Sequence, residues 1–260
     1  MIKNIILFSS VAIVAFSSCK KEASEVTSGA VETSVSLTNA NGSAKTVNFF
    51  VNGTQVNQVA SVAANGTITG TYIGLGTSST SNTLSVKDAT ATTTEYYSGT
   101  LTTEVGKAYT FIAYDTLISG KFKGILLSSD RTVPTDNVST ANVRFLNLSP
   151  KSPSMDLVMV RSIGSVATDS VTISGLPYLG SVATPDVAAL SKFTSIKSSE
   201  VAGSISATSA ATTYVIRLKL TGVGTIVSST AATSIIPGRN YTIFARGTYP
   251  SSAVTLLLNN

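Results

Sequence analysis

The chain has 260 residues, of which 12% are charged, 43% hydrophobic and 7% aromatic, with a formal net charge of +5. It has one Cys, no His and no Trp. These counts exclude Ser-His-Asp and Cys-His nucleophiles, His-ligated zinc, an internal disulfide and a thiolate metal cage. Nearly three residues in ten are Ser or Thr. That composition suits β-branched side chains on pleated sheets.

Met1 to Lys3 form a short cationic start, and Ile5 to Phe16 are almost wholly apolar. The run is too short for a bilayer, which needs roughly 20 residues, but suits a secretory signal. Phe16-Ser17-Ser18 then precede the single Cys19. Small residues before that Cys resemble a bacterial lipobox. This implies cleavage after residue 18, acylation of Cys19 and anchoring by more than one acyl chain. Lys20 rather than Asp follows Cys19, so the expected location is the outer membrane, on its periplasmic or cell-surface face. Removing residues 1–18 costs only the charge of Lys3. Lys20-Lys21 can touch anionic lipid or simply be solvated. Residues 19–32 are polar and aperiodic and predict a flexible tether. The scattered basic residues, with no aromatics interleaved, predict no nucleic-acid partner.

From residue 33 onward, period-two patterns dominate. Val47, Phe49 and Val51 alternate with Asn48 and lead into Asn52-Gly53, a hairpin signal. Tyr214, Ile216, Leu218 and Leu220 share one face of a strand, with Arg217 and Lys219 on the other. Asn41-Gly42 and Asn65-Gly66 read as further turns, as do Gly74-Leu75-Gly76 and Gly222-Val223-Gly224. The one helical candidate is Asp186 to Phe193, after Thr184-Pro185. Ile125-Leu126-Leu127 and Leu256-Leu257-Leu258 predict strands covered on both sides.

An internal repeat organises these strands. Gly106-Lys107-Ala108-Tyr109-Thr110 matches Gly238-Arg239-Asn240-Tyr241-Thr242 without a gap, and each is followed by a strand. Val35, Leu37, Asn39, Val47, Asn48 and Phe49 align with Val143, Phe145, Asn147, Met155, Asp156 and Leu157. The predicted fold is all-β: two tandem immunoglobulin-like or transthyretin-like β-sandwiches after a lipoprotein signal peptide. Their spans are 33–130 and 140–260, with a linker at 131–139 stiffened by Pro134.

Val143-Arg144-Phe145-Leu146-Asn147-Leu148-Ser149-Pro150, then Met155-Asp156-Leu157, resembles the opening of the domain of unknown function 4397 family. Gly238 to Thr242 matches that family's later Gly-x-x-Tyr-Thr strand. Asp130 with Pro134 resembles its Asp-x-x-x-Pro junction. The first half departs from the pattern, with Asn39-Ala40-Asn41 in place of Ser-Pro and Asn48 in place of the Asp. The resemblance implies a secreted or lipid-anchored protein and carries over no catalytic residue.

Two residues are candidates for a ligand site or a structural turn. Asp156 can ligate a cation or a sugar hydroxyl, or can accept backbone N–H groups near Ser149-Pro150. Arg144 can pair with Asp156 across adjacent strands. Tyr72, Tyr96 and Tyr97 offer a sugar-stacking surface or ordinary strand packing. Asp130 and Asp136 flank the linker and can hold calcium weakly or be solvated. Thr194 to Lys197 has Thr where a Ser-x-x-Lys nucleophile needs Ser. No catalytic residue, metal site or cofactor is expected. The expected role is a non-enzymatic adhesion or glycan/ligand-binding module reaching the membrane through its lipid. The alternatives are a structural subunit joined by β-strand addition and a carboxylate-based glycan enzyme.

Overall fold

The computed structural model describes residues 32–58, 60–67, 72–76, 80–118, 120–129, 134, 139–163, 166–198 and 212–259. Cys19, the signal segment, the tether up to residue 31, Asp130, Arg131 and Asp136 lie outside them. The first lobe runs β1 (Thr33–Asn41), β2 (Val47–Val51), β3 (Thr54–Gln55), β4 (Gly66–Thr67), β5 (Ile73–Gly76), β6 (Ser81–Asp88), β7 (Glu95–Thr102), β8 (Ala108–Ile118) and β9 (Lys121–Ser128). The second runs β10 (Thr140–Asn147), β11 (Met155–Ile163), β12 (Val166–Leu176), α1 (Val187–Ser191), β13 (Thr194–Lys197), β14 (Thr212–Leu220), β15 (Ile226–Ser229), β16 (Asn240–Arg246) and β17 (Ala253–Leu258).

Each lobe is a sandwich of two sheets. In the first, an inner sheet ordered β4-β1-β8-β9, with β5 also on β1, packs on an outer sheet ordered β3-β2-β6-β7. In the second, the inner sheet is β13-β10-β16-β17 and the outer is β12-β11-β14-β15. The predicted all-β tandem sandwich is the fold observed. The core of the first lobe includes Val35, Leu37, Phe49, Leu84, Val86 and Phe111; that of the second includes Val143, Phe145, Leu157, Ile216, Leu218 and Ile243.

The repeat is structural as well as sequential. β1 runs parallel to β8 with Val35 opposite Tyr109, and β10 runs parallel to β16 with Val143 opposite Tyr241. The two glycines of the repeated motif have positive φ, +78° at Gly106 and +72° at Gly238, which a side chain disfavours. The tyrosines then close the same contact. Tyr109 Oη accepts the N–H of Glu104 at 2.8 Å, and Tyr241 Oη accepts that of Ile236 at 3.0 Å. Both are tyrosine corners, in which a strand-opening phenol satisfies backbone a few residues upstream. Asn39 and Asn147 are also equivalent. Each side-chain oxygen accepts from the N–H two residues on, while each amide donates to a carbonyl of the neighbouring hairpin, Val62 or Leu176.

Two local expectations change. Gly74-Leu75-Gly76 lies in β5 rather than in a turn, since it pairs with Thr33 to Val35. The helix is shorter than expected and begins after Asp186, whose carboxylate caps the Ala189 N–H at 3.0 Å. Asn52-Gly53 is a turn as expected, with φ of +48° and +78°.

The two inner sheets face each other. Ala40, Ile112, Tyr114, Ile125 and Leu127 of the first lobe form one buried cluster with Leu146, Leu148, Leu179 and Phe244 of the second. This third core explains the apolar runs. Ile125 and Leu127 face the other lobe while Leu126 packs on its own sandwich. Leu256 and Leu257 divide in the same way, but Leu258 is 44% exposed at the end of its edge strand.

Candidate ligand cleft between the lobes

Period two along β10 sends Val143 and Phe145 into their own sandwich and Arg144 and Leu146 to the opposite face. On an isolated sandwich that second face would meet water, where an Arg is unremarkable. Here the first lobe covers it, and Arg144 is only 2% exposed. Its Nε donates to Thr242 Oγ1 at 2.8 Å, and its Nη1 donates to the Ser128 carbonyl of the other lobe at 2.7 Å. The guanidinium lies 4.7 Å from the centre of the Phe193 ring. Nη2 is buried with no hydrogen-bond acceptor among the described residues. Burial lowers the Arg144 pKa to about 10, which leaves a cation at neutral pH.

A buried chain of polar groups continues from it. Thr242 Oγ1 donates to Asn259 Oδ1 at 2.6 Å, and Asn259 Nδ2 donates to Thr110 Oγ1 at 2.9 Å. Thr110 shares a hydrogen bond with Ser129, and Tyr72 donates to the Asn259 carbonyl. A second clasp joins the lobes: Tyr178 donates to the buried carboxylate of Asp115, which Lys123 approaches at 3.6 Å. Asp115 holds φ at +83°, an uncommon backbone state for a residue other than Gly.

A cleft of about 960 Å³ opens beside the Arg144 chain. One wall is the turn into β8 and the end of β9, with Lys107, Ser128 and Ser129; the other is α1 and the start of β10 and β13, with Asn142, Lys192 and Phe193. The Ser128 N–H donates to Ser191 Oγ at 3.2 Å and ties the walls together. No Asp or Glu lines the cleft among the described residues. Nor does any group of three metal-ligating side chains occur among them.

Arg144 and Asp156 do not pair, which corrects the cross-strand expectation. β10 and β11 belong to different sheets of the sandwich, so the two side chains leave their strands in separate layers. Asp156 does not serve the Ser149-Pro150 turn either. Its Oδ1 accepts the Gly175 N–H at 2.7 Å and the Thr221 hydroxyl at 2.7 Å, tying β12 to the end of β14. The Ser149 turn is held by Asn147 instead, whose Oδ1 accepts the Ser149 N–H at 3.3 Å. The three tyrosines form no common surface. Tyr96 packs on Phe122 at 5.0 Å, Tyr97 on Phe111 at 5.1 Å, and Tyr72 reaches Asn259. Lys107 belongs to the repeated motif and Lys192 and Phe193 to the helical candidate, but nothing local marks any of them as a site residue. Thr110 and Thr242 carried the one available signal, since the repeat keeps a hydroxyl on the face away from each sandwich core.

A family model described as a domain of unknown function, DUF4397, matches residues 33–158. Those residues belong to the DUF4397 family. The DUF4397 match takes in the first lobe, the junction, β10 and the start of β11, and so includes Arg144 and Asp156. The Gly238 to Thr242 motif lies beyond it. No curated protein matches the chain. Among solved structures, a candidate cell adhesion protein from Bacteroides ovatus ATCC 8483 is similar at 10% identity and a TM-score of 0.26, over 89% of this chain and 96% of the other. A likeness of that size carries no argument about role. No helix among the described residues is long and apolar enough to cross a membrane, which says nothing of β-barrels.

Proposed function

We propose that the protein is a lipid-anchored binding module of the cell envelope, held by acylated Cys19 at the outer membrane and acting in adhesion or ligand capture without catalysis. The cleft between the lobes carries this reading. Two sandwiches clasped through a shared core give a stiff support, and the cleft presents lysines, hydroxyls and an amide on it. Such groups hold a polar ligand; the described lining supplies no carboxylate to act as acid or base. On this reading the ligand sits in the cleft between the sandwiches. Two experiments test the reading. Cys19→Ala should move the protein from the membrane to the soluble fraction. The purified parent should bind cells or glycans saturably; a hydrolase activity without such binding would overturn the role.

One observation favours a second reading, assembly by strand addition. β12 is an eleven-residue edge strand, exposed along most of its length, with Val166 at 68% exposure. Oligomers that grow with concentration would support it, and a strict monomer would oppose it.

A further inference from the structure

We infer that the cleft takes an acidic saccharide and that Lys107 and Lys192 receive its anionic group. This rests on the binding reading above and names the ligand class for that site. The two lysines come from different lobes, Lys107 from the turn into β8 and Lys192 from the residue after α1, and only the docking of the lobes places both on one cleft. Of the two, Lys107 has an acid beside it, Glu104, whose Oε2 lies 2.6 Å from Lys107 Nζ. Both side chains of that pair are largely exposed, at 52% and 71%, so water and salt already weaken it and a bound anion can replace it.

A third positive charge lies behind the same walls. Arg144 is held by Ser128 and Phe193, and both of those residues also line the cleft. It has no carboxylate partner among the described residues, and its Nη2 has no acceptor there. A desolvated cation with no counter-charge projects its field further than a solvated one, and here it adds to the two lysines. Net attraction for an anion is thus built from three cations of separate elements. The remaining lining chemistry is that of sugar recognition. Ser195 and Asn142 offer hydroxyl and amide partners, and the Phe193 ring offers an apolar surface for the C–H face of a pyranose. The volume, about 960 Å³, accommodates a short oligosaccharide.

The test applies the full-length protein to an array of uronic, sulfated and neutral saccharides. The best anionic hit is then titrated by calorimetry at low and high salt, against the parent and a Lys107→Gln/Lys192→Gln variant. Both lysines are exposed, so the variant should keep the parent's circular dichroism and melting temperature. The expected result is binding dominated by anionic saccharides, weakened by salt, and reduced about tenfold or more in the double variant. Neutral saccharides binding equally well would overturn the ligand class. A double variant that binds like the parent would overturn the site. Both results leave the binding reading intact. An empty array beside retained cell binding would overturn the saccharide assignment alone, and loss of both would remove the binding reading as well.

Discussion

Thr110 and Thr242 occupy the same position in the two copies of the Gly-x-x-Tyr-Thr motif, and a single side chain joins them. Asn259 donates to Thr110 Oγ1 at 2.9 Å and accepts from Thr242 Oγ1 at 2.6 Å. The pseudo-equivalent hydroxyls thus meet across the lobe interface, and the last described residue locks them. Asn259 is fully buried. Its replacement by Ala should leave both hydroxyls short of a partner and lower stability by about 1–3 kcal/mol. Urea denaturation of parent and Asn259→Ala checks this; an unchanged midpoint would show that the interface does not depend on the bridge.

The shared core predicts that the lobes unfold together. Ile112, Ile125 and Leu127 lose their packing if the second lobe unfolds, as Leu146, Leu148 and Phe244 do if the first lobe unfolds. Tyr109→Phe and Tyr241→Phe each remove a tyrosine-corner oxygen, one in each lobe. Each should cost about 1–2 kcal/mol and shift the same single calorimetric transition. Two resolved transitions, each moved by only one of the substitutions, would contradict the coupled interface.

Tyr178 and Asp115 form the second clasp. Burial first, and then the Asp115 carboxylate, push the Tyr178 pKa up, so this phenol should stay protonated beyond the ordinary tyrosine range in an alkaline absorbance titration. Tyr178→Phe leaves the Asp115 carboxylate with the Thr116 N–H at 2.7 Å and Lys123 at 3.6 Å. The loss should be about 2 kcal/mol, as expected when a buried charged acceptor loses a donor.

Asp88 gives a pH-dependent signature inside the first lobe. The Tyr96 phenol, and then the Thr90 hydroxyl and the N–H groups of Thr90 and Ala91, hold its carboxyl well below its ordinary value of 3.8. Burial first, and then Asp88, push the Tyr96 pKa up to about 12. A folded-state pKa below the unfolded one means that Asp88 contributes stability above pH 3.8 and loses it as pH falls through the folded value. Tyr96→Phe should therefore raise the Asp88 pKa toward the ordinary range and flatten the acid limb of the stability curve. Carboxyl chemical shifts followed against pH would show this directly.

The local pattern of residues determined a great deal about this protein by itself. Alternation in Tyr214 to Leu220 and Val47 to Val51, turn chemistry at Asn52-Gly53, and the repeated glycine and tyrosine each act within a few residues, so a reader of the chain sees them. The runs at 125–127 and 256–258 even announced that the inner sheets are covered on both sides. What covers them was decided only by the tertiary structure. Opposite faces of a strand look alike in sequence until the second layer is known, so Arg144 read as a plausible mate for Asp156. The docking of the two lobes buries Arg144 against Ser128, sends Asp156 to another sheet and places Lys107 and Lys192 on one cleft. Those are long-range contacts whose partners lie far apart along the chain, and no local spacing encodes them.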